Sequence, residues 1–211
     1  MSQRYPIPAQ TVRTELTISR SRFIATLGQA ETVAAARTFI RQIRAEMPDA
    51  THHVYAFRIG YGGSVTEGLS DDGEPAGTSG KPVMAVLRGA AVGDVVLVVT
   101  RYFGGVKLGT GGLVRAYSAA AKEALRILPL VEKVAMMTVE ASVPYPAYAQ
   151  FKRLLVEYQA SITAETFAAD VIVQVSIPAD HFEALAQRAH EYAFSAIPNG
   201  RSAKSRFGDP G

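Results

Sequence analysis

Apolar residues recur along this chain at two distinct spacings, and the spacings predict its elements. Val33, Ala36, Ile40, Ile43 and Met47 form one stripe at helical spacing, with Thr32 as a candidate N-cap and Pro48 closing the segment. Val114, Tyr117, Ala121, Ala124 and Leu128 form a second, stopped by Pro129. Strands are predicted over Thr11–Ile18 and Phe23–Leu27, separated by the polar break Ser19-Arg20-Ser21-Arg22. His52–Gly60 reads as a further strand. Val95–Thr100 is a continuous apolar strand, expected to be buried on both faces. Residues 61–80 are rich in Gly, Ser and Asp and predict a loop or irregular hairpin. Lys81–Gly89 predicts a short helix, with Thr78 or Ser79 near its N-cap and Pro82 in its first turn.

From about residue 134 the pattern becomes a compact repeat. Met137, Val139, Ala141 and Val143 alternate as a strand, and Tyr148, Phe151, Leu155 and Tyr158 follow helical spacing. A weaker strand at Ile162, Ala164 and Thr166 precedes an alternating one at Val171, Val173, Val175 and Ile177. Asp180 and Glu183 have capping-box spacing before the helical stripe Phe182, Leu185, Ala189 and Tyr192. The order β-α-β-β-α lacks one strand of a ferredoxin-like unit, and only Phe194–Ile197 can supply it. The chain therefore predicts an α+β protein of two domains, residues 1–130 and 134–197. The Gly/Pro/Ser-rich residues 198–211 are expected to be a disordered tail.

Composition narrows the chemistry. The absence of cysteine excludes disulfides, thiolate zinc sites and cysteine catalysis, and fits a reducing, cytoplasmic setting. No apolar run approaches the roughly 18 residues of a membrane span, and the first residues carry no signal-peptide core. Neither a membrane partner nor a cofactor is expected. Residues 1–134 carry 16 Lys and Arg against 11 Asp and Glu, whereas residues 135–211 carry 6 against 8. The first domain can thus take an anionic partner.

The strongest chemical signal is Arg101-Tyr102-Phe103-Gly104-Gly105-Val106-Lys107-Leu108-Gly109-Thr110-Gly111-Gly112-Leu113-Val114-Arg115, joining a buried strand to a helix. Glycines admit close backbone approach, and a helix start offers unpaired N–H groups. Arg101, Lys107 and Arg115, with Gly109, Gly111 and Gly112, are the candidate phosphate contacts, Lys81 is a nearby second site, and the stripe Arg37, Arg41, Arg44 is a further one. The third glycine of a dinucleotide fingerprint is missing. Ser70–Pro82 fails as a P-loop, because Pro75 and Pro82 occupy required positions. Its carboxylates Asp71, Asp72 and Glu74, with His52 or His53, form the alternative, catalytic constellation. Adjacent in a strand, the two histidines face opposite sides of the sheet. No metal site is expected, and no nucleophile elbow or H-E-x-x-H motif occurs.

Ser19–Ile24, His52-His53-Val54, Ser70–Thr78, Gly80-Lys81-Pro82, Arg101–Gly105 and Gly109–Tyr117 together resemble the Impact/YigZ family, in its bacterial form. The resemblance implies a first domain like ribosomal protein S5 domain 2 and a ferredoxin-like second domain, a pair similar to the C-terminal domains of elongation factor G. It also implies a link to translation, since eukaryotic relatives act in translational control through a protein partner. Two readings of function follow. One is a non-enzymatic protein that binds RNA or the ribosome and modulates translation, with Tyr102 and Phe103 available to stack on bases. The other is an enzyme, hydrolytic or phosphotransferring, on a small phosphorylated substrate. A protein partner at an open sheet edge of the second domain is a third possibility.

Overall fold

The computed structural model describes residues 4–191, 195–198 and 206–207, and the side chains of residues 4–189. The chain divides into two compact units, Tyr5–Val131 and residues 1–4 with 132–211.

In the first, β1 (Arg4–Pro8) leads into β2 (Val12–Ile18) and β3 (Ser21–Gln29), then α1 (Val33–Glu46), β4 (His52–Tyr61), β5 (Ser64–Ser70), α2 (Gly80–Gly89), β6 (Val95–Tyr102) and α3 (Gly109–Arg126). The sheet order is β2-β3-β6-β4-β5, antiparallel throughout. Alternation in β3, β4 and β6 separates two cores. Phe23, Ala25, Leu27, Val54, Ala56, Val95, Leu97 and Val99 face α2 and α3. Ile24, Phe57, Val96 and Val98 face α1, which buries Ala36, Ile40 and Ile43. Helices cover both faces, so the central strand β6 is apolar at every position from Val95 to Val99, as its sequence predicts. The α3 stripe is built largely of alanines, with Ala116, Ala120, Ala121 and Ala124 almost fully buried, which lets the helix lie close to the sheet.

Thr32 caps α1 as expected, its hydroxyl accepting from the Ala35 N–H at 3.0 Å. The loop or hairpin expected after residue 60 is a hairpin, with β5 paired to β4. One expectation needs correction: the helix whose stripe opens at Val114 starts earlier, at Gly109, so Gly109, Gly111 and Gly112 belong to the first turn of α3. Glycine's low helix propensity hid a start that tertiary packing of Leu113, Ala116 and Tyr117 enforces. β7 (Leu130–Val134) follows α3 at the boundary between the two units.

The second unit continues with β8 (Met136–Val143), a 3₁₀ turn at Tyr145–Ala147, α4 (Tyr148–Glu157), β9 (Ser161–Phe167), β10 (Val171–Pro178), α5 (Phe182–Glu191) and β11 (Ser195–Pro198). The order β11-β8-β10-β9 is antiparallel, which is the ferredoxin-like βαββαβ arrangement. Val139, Ala141, Val143, Val171, Val173, Val175 and Ile177 pack against Phe151, Leu154, Leu155, Leu185 and Ala189. The short segment ending at Pro198 supplies the fourth strand, pairing with β8 from Ser142 to Val139. Asp180 spends its carboxylate on Arg4, at 2.6 Å from Nε, rather than on the capping box its spacing suggests. Of the tail, Pro198 ends β11 and Arg206–Phe207 form β12, paired with β7; the rest lies outside the described residues.

Candidate functional site

The buried chemistry of the first unit converges on one carboxylate oxygen. Glu74 Oε1 accepts from Arg101 Nη1 at 2.6 Å and from the Tyr117 hydroxyl at 2.7 Å, with His52 Nε2 at 3.8 Å. The sheet register places these groups together. Arg101 lies opposite His52 across β4–β6 and opposite Phe23 across β3–β6, so all three project from the α2/α3 face. The Arg101 and Glu74 side chains are only 5% and 4% exposed. Arg101 Nη2 donates to Ser21 Oγ at 3.2 Å, its guanidinium lies 5.4 Å from both the Phe23 and Phe103 rings, and Nε has no hydrogen-bond partner among the described residues. Burial, reinforced by the bond to Glu74, pushes the Tyr117 hydroxyl far above its ordinary range, so it remains a donor.

Sequence reasoning assigned Glu74 and Arg101 to two competing sites, whereas they are one ion pair. It missed Ser21 and Tyr117 as members. A tyrosine inside a buried alanine stripe was the available signal, because its hydroxyl must find a partner.

The neighbouring carboxylates point elsewhere. Asp71 accepts from the N–H groups of Gly77 (2.8 Å), Ser79 (3.1 Å) and Gly80 (2.8 Å) and from Ser79 Oγ (2.7 Å). Burial raises its pKa, but these four bonds together hold it below the ordinary carboxylate value. Asp71 thereby fills the N-terminus of α2, beside Lys81, where the sequence suggested a second anion site. Asp72, at φ 44°, pairs with Arg44, accepts from the His53 N–H at 2.7 Å, and offers its carbonyl oxygen to His52 Nδ1 at 2.8 Å. His53 faces α1, with Nδ1 3.0 Å from Thr100 Oγ1. Burial and the charge of Arg44 lower its pKa, outweighing Asp72. Both oxygens of Asp71 and of Asp72 accept from protein donors, Glu74 Oε1 accepts from two, and no metal-binding cluster occurs among the described residues. Millimolar magnesium or calcium is therefore expected to leave the melting temperature unchanged; a rise that Asp72→Ala abolishes would show that the loop does bind a cation.

The opposite pattern holds at α3. Leu108 precedes its first turn with no side-chain cap, and Gly109, Thr110 and Gly111 are exposed. A cavity of about 360 Å³ opens there, lined by Glu74, Pro75, Arg101, Lys107, Leu108, Gly109, Thr110 and Leu113. Lys107 and Arg115 are exposed, and neither enters an ion pair among the described residues. Phe103 is 47% exposed, while the half-buried Tyr102 lies under the Arg22 guanidinium and donates to Asp49 at 3.0 Å. Phe103 is thus the aromatic side chain open to a ligand.

The α1 stripe lies on the other side of the sheet. Arg37, Arg41 and Arg44 line a shallow recess with Ile40 and Tyr55. Arg44 is held by Asp72, and Arg41 donates to Thr38 at 2.9 Å. Arg37 and Arg41 therefore do not share a site with Lys107 and Arg115.

A doubly covered antiparallel sheet bearing this buried Glu–Arg–Tyr cluster, followed by a ferredoxin-like unit, defines the class: a two-domain mixed α/β protein. Residues 19–125 match the Impact N-terminal domain and residues 142–191 a domain of unknown function (DUF1949). The chain belongs to the IMPACT family. The IMPACT family member YigZ of Escherichia coli (strain K12) is 41% identical over 174 residues, 82% of this chain and 85% of that protein. An IMPACT family member of Haemophilus influenzae is 37% identical over 188 residues, 89% and 91% of the two chains. A crystal structure of a hypothetical protein matches with a TM-score of 0.70 at 35% identity, covering 96% of this chain and all of that one. No helix among the described residues is long and apolar enough to cross a membrane.

Proposed function

We propose that this protein is a non-enzymatic protein that binds RNA or the ribosome and acts on translation, and that the start of α3 is its phosphate contact. One observation carries the reading: of the two helices covering this face, α2 has its N-terminal donors filled by Asp71, whereas α3 opens uncapped and exposed between Lys107 and Arg115. A helix start with free N–H groups and flanking cations attracts a phosphate through hydrogen bonds, dipole and charge together. The nearby Phe103 offers a surface for an unpaired base. The enzymatic reading has less support, because Asp71 is occupied by the start of α2, Asp72 by Arg44 and the His53 N–H, and Glu74 by Arg101 and Tyr117.

The test is a salt titration of RNA and ribosome binding. Lys107→Ala and Arg115→Ala are expected to weaken binding to unrelated sequences alike and to flatten the salt slope by about 0.7–0.9 per lost contact. Both variants should fold, since exposed charges typically change stability by only about 0.5 kcal/mol. Normal binding by both folded variants would make the loop structural and the reading wrong.

A further inference from the structure

The hairpin joining β2 to β3 turns through Ser19 and Arg20, and both have positive φ, 46° and 67°. Positive φ at both central residues is the signature of a type I′ turn, where Asn-Gly is the favoured pair. Arginine is a poor fit, because its Cβ crowds the backbone in this region. A residue kept against a local preference points to a use for its side chain.

Three observations say what that use is. Arg20 is exposed and enters no ion pair among the described residues, whereas Arg22, two positions on, is held by Glu15 at 2.8 Å. The turn is fixed to the glycine segment: a Cβ at Gly104 would lie 2.0 Å from the Arg20 carbonyl oxygen, and Ser21 Oγ accepts from the Gly104 N–H and Arg101 Nη2, each at 3.2 Å. The segment so anchored carries the exposed Phe103 and Lys107. Free cations flanking an exposed aromatic ring are the composition of a single-strand nucleic-acid groove.

We infer that the Ser19–Arg20 turn is a second wall of the RNA site, with Arg20 contacting a backbone phosphate of a single strand whose base stacks on Phe103. This rests on the RNA reading above and adds a binding residue to it. It also means that the turn holds its strained conformation in exchange for binding, so stability and affinity respond to mutation in opposite directions.

The experiment measures binding of a labelled single-stranded oligoribonucleotide by the full chain, alongside its melting temperature. Arg20→Gly is expected to raise the melting temperature, since glycine adopts positive φ without strain. It should also weaken RNA binding about tenfold and flatten the salt slope by about 0.7. Arg20→Lys keeps the charge and should retain most of the affinity; Phe103→Ala should weaken binding without changing the salt slope. If Arg20→Gly binds as the wild type does while Lys107→Ala is impaired, this inference fails and the RNA reading stands. If the wild type binds no RNA, both fail. Equal affinity for polyglutamate would overturn the assignment to nucleic acid, leaving only a general anion-binding surface.

Discussion

Arg101→Ala is expected to remove about 3–5 kcal/mol of stability, the range seen when one partner of a buried ion pair is deleted. That is a large share of the roughly 5–15 kcal/mol that holds a typical domain folded. The loss has identifiable parts. Glu74 would be left at 4% side-chain exposure without its cation, with the Tyr117 hydroxyl as its remaining close donor. Ser21 would lose one of its links, and the guanidinium between Phe23 and Phe103 would leave a void. Tyr117→Phe deletes a single bond to a charged acceptor and should lose about 1.5–3 kcal/mol. The triple variant Glu74→Leu, Arg101→Met, Tyr117→Phe removes both charges and the hydroxyl that donates to Glu74, and is expected to recover much of the loss, because a well-packed apolar cluster leaves no buried polar group unpaired. Urea unfolding of the four proteins measures this. A loss under about 1 kcal/mol for Arg101→Ala would mean that the pair is not dry. The expectation also explains why Lys107 and Arg115 are the informative binding variants: an Arg101 variant changes fold and site together.

Helix and strand content was legible because it depends on periodicity, which the sequence carries directly. The stripe from Val33 to Met47 and the faultless alternation from Val171 to Ile177 each bury the face they predict. The site was legible only as a set of residues. Ser21, His52, Glu74, Arg101 and Tyr117 all stand in the strings that resemble the family, yet nothing local says that Glu74 reaches across 27 residues to Arg101 rather than to a cation. That pairing follows from the register of β4 on β6 and from the return of the 71–80 loop over the sheet, which are tertiary facts. The role of Asp71 was hidden for the same reason. A helix cap normally comes from the adjacent residue, and here it comes from a residue 8 and 9 positions before the N–H groups it fills.

Glycine roles separate in the same way, and they give the second large effect. Gly104→Ala is expected to destabilise the first domain by about 1–3 kcal/mol or more, as overpacking against fixed atoms does. The added carbon would lie 2.0 Å from the Arg20 carbonyl oxygen, 2.1 Å from its carbon and 2.6 Å from Ser21 nitrogen, all backbone atoms of a tight turn. Relief requires the turn to retreat, which breaks the Ser21 bonds to Gly104 and Arg101 and exposes one end of the buried ion pair. Gly111 behaves differently, although it stands in the same glycine-rich segment. It sits in the first turn of α3, without positive φ, and a Cβ would meet only the Arg115 guanidinium at 3.8 Å. Gly111→Ala should therefore leave stability unchanged or raise it by up to about 1 kcal/mol, through helix propensity and a less free unfolded chain. Thermal unfolding of the two variants side by side decides the matter. Equal stability would mean that the Ser19–Arg20 turn yields freely to Gly104. A destabilised Gly111→Ala would mean that the start of α3 is held by packing that its open surroundings do not show.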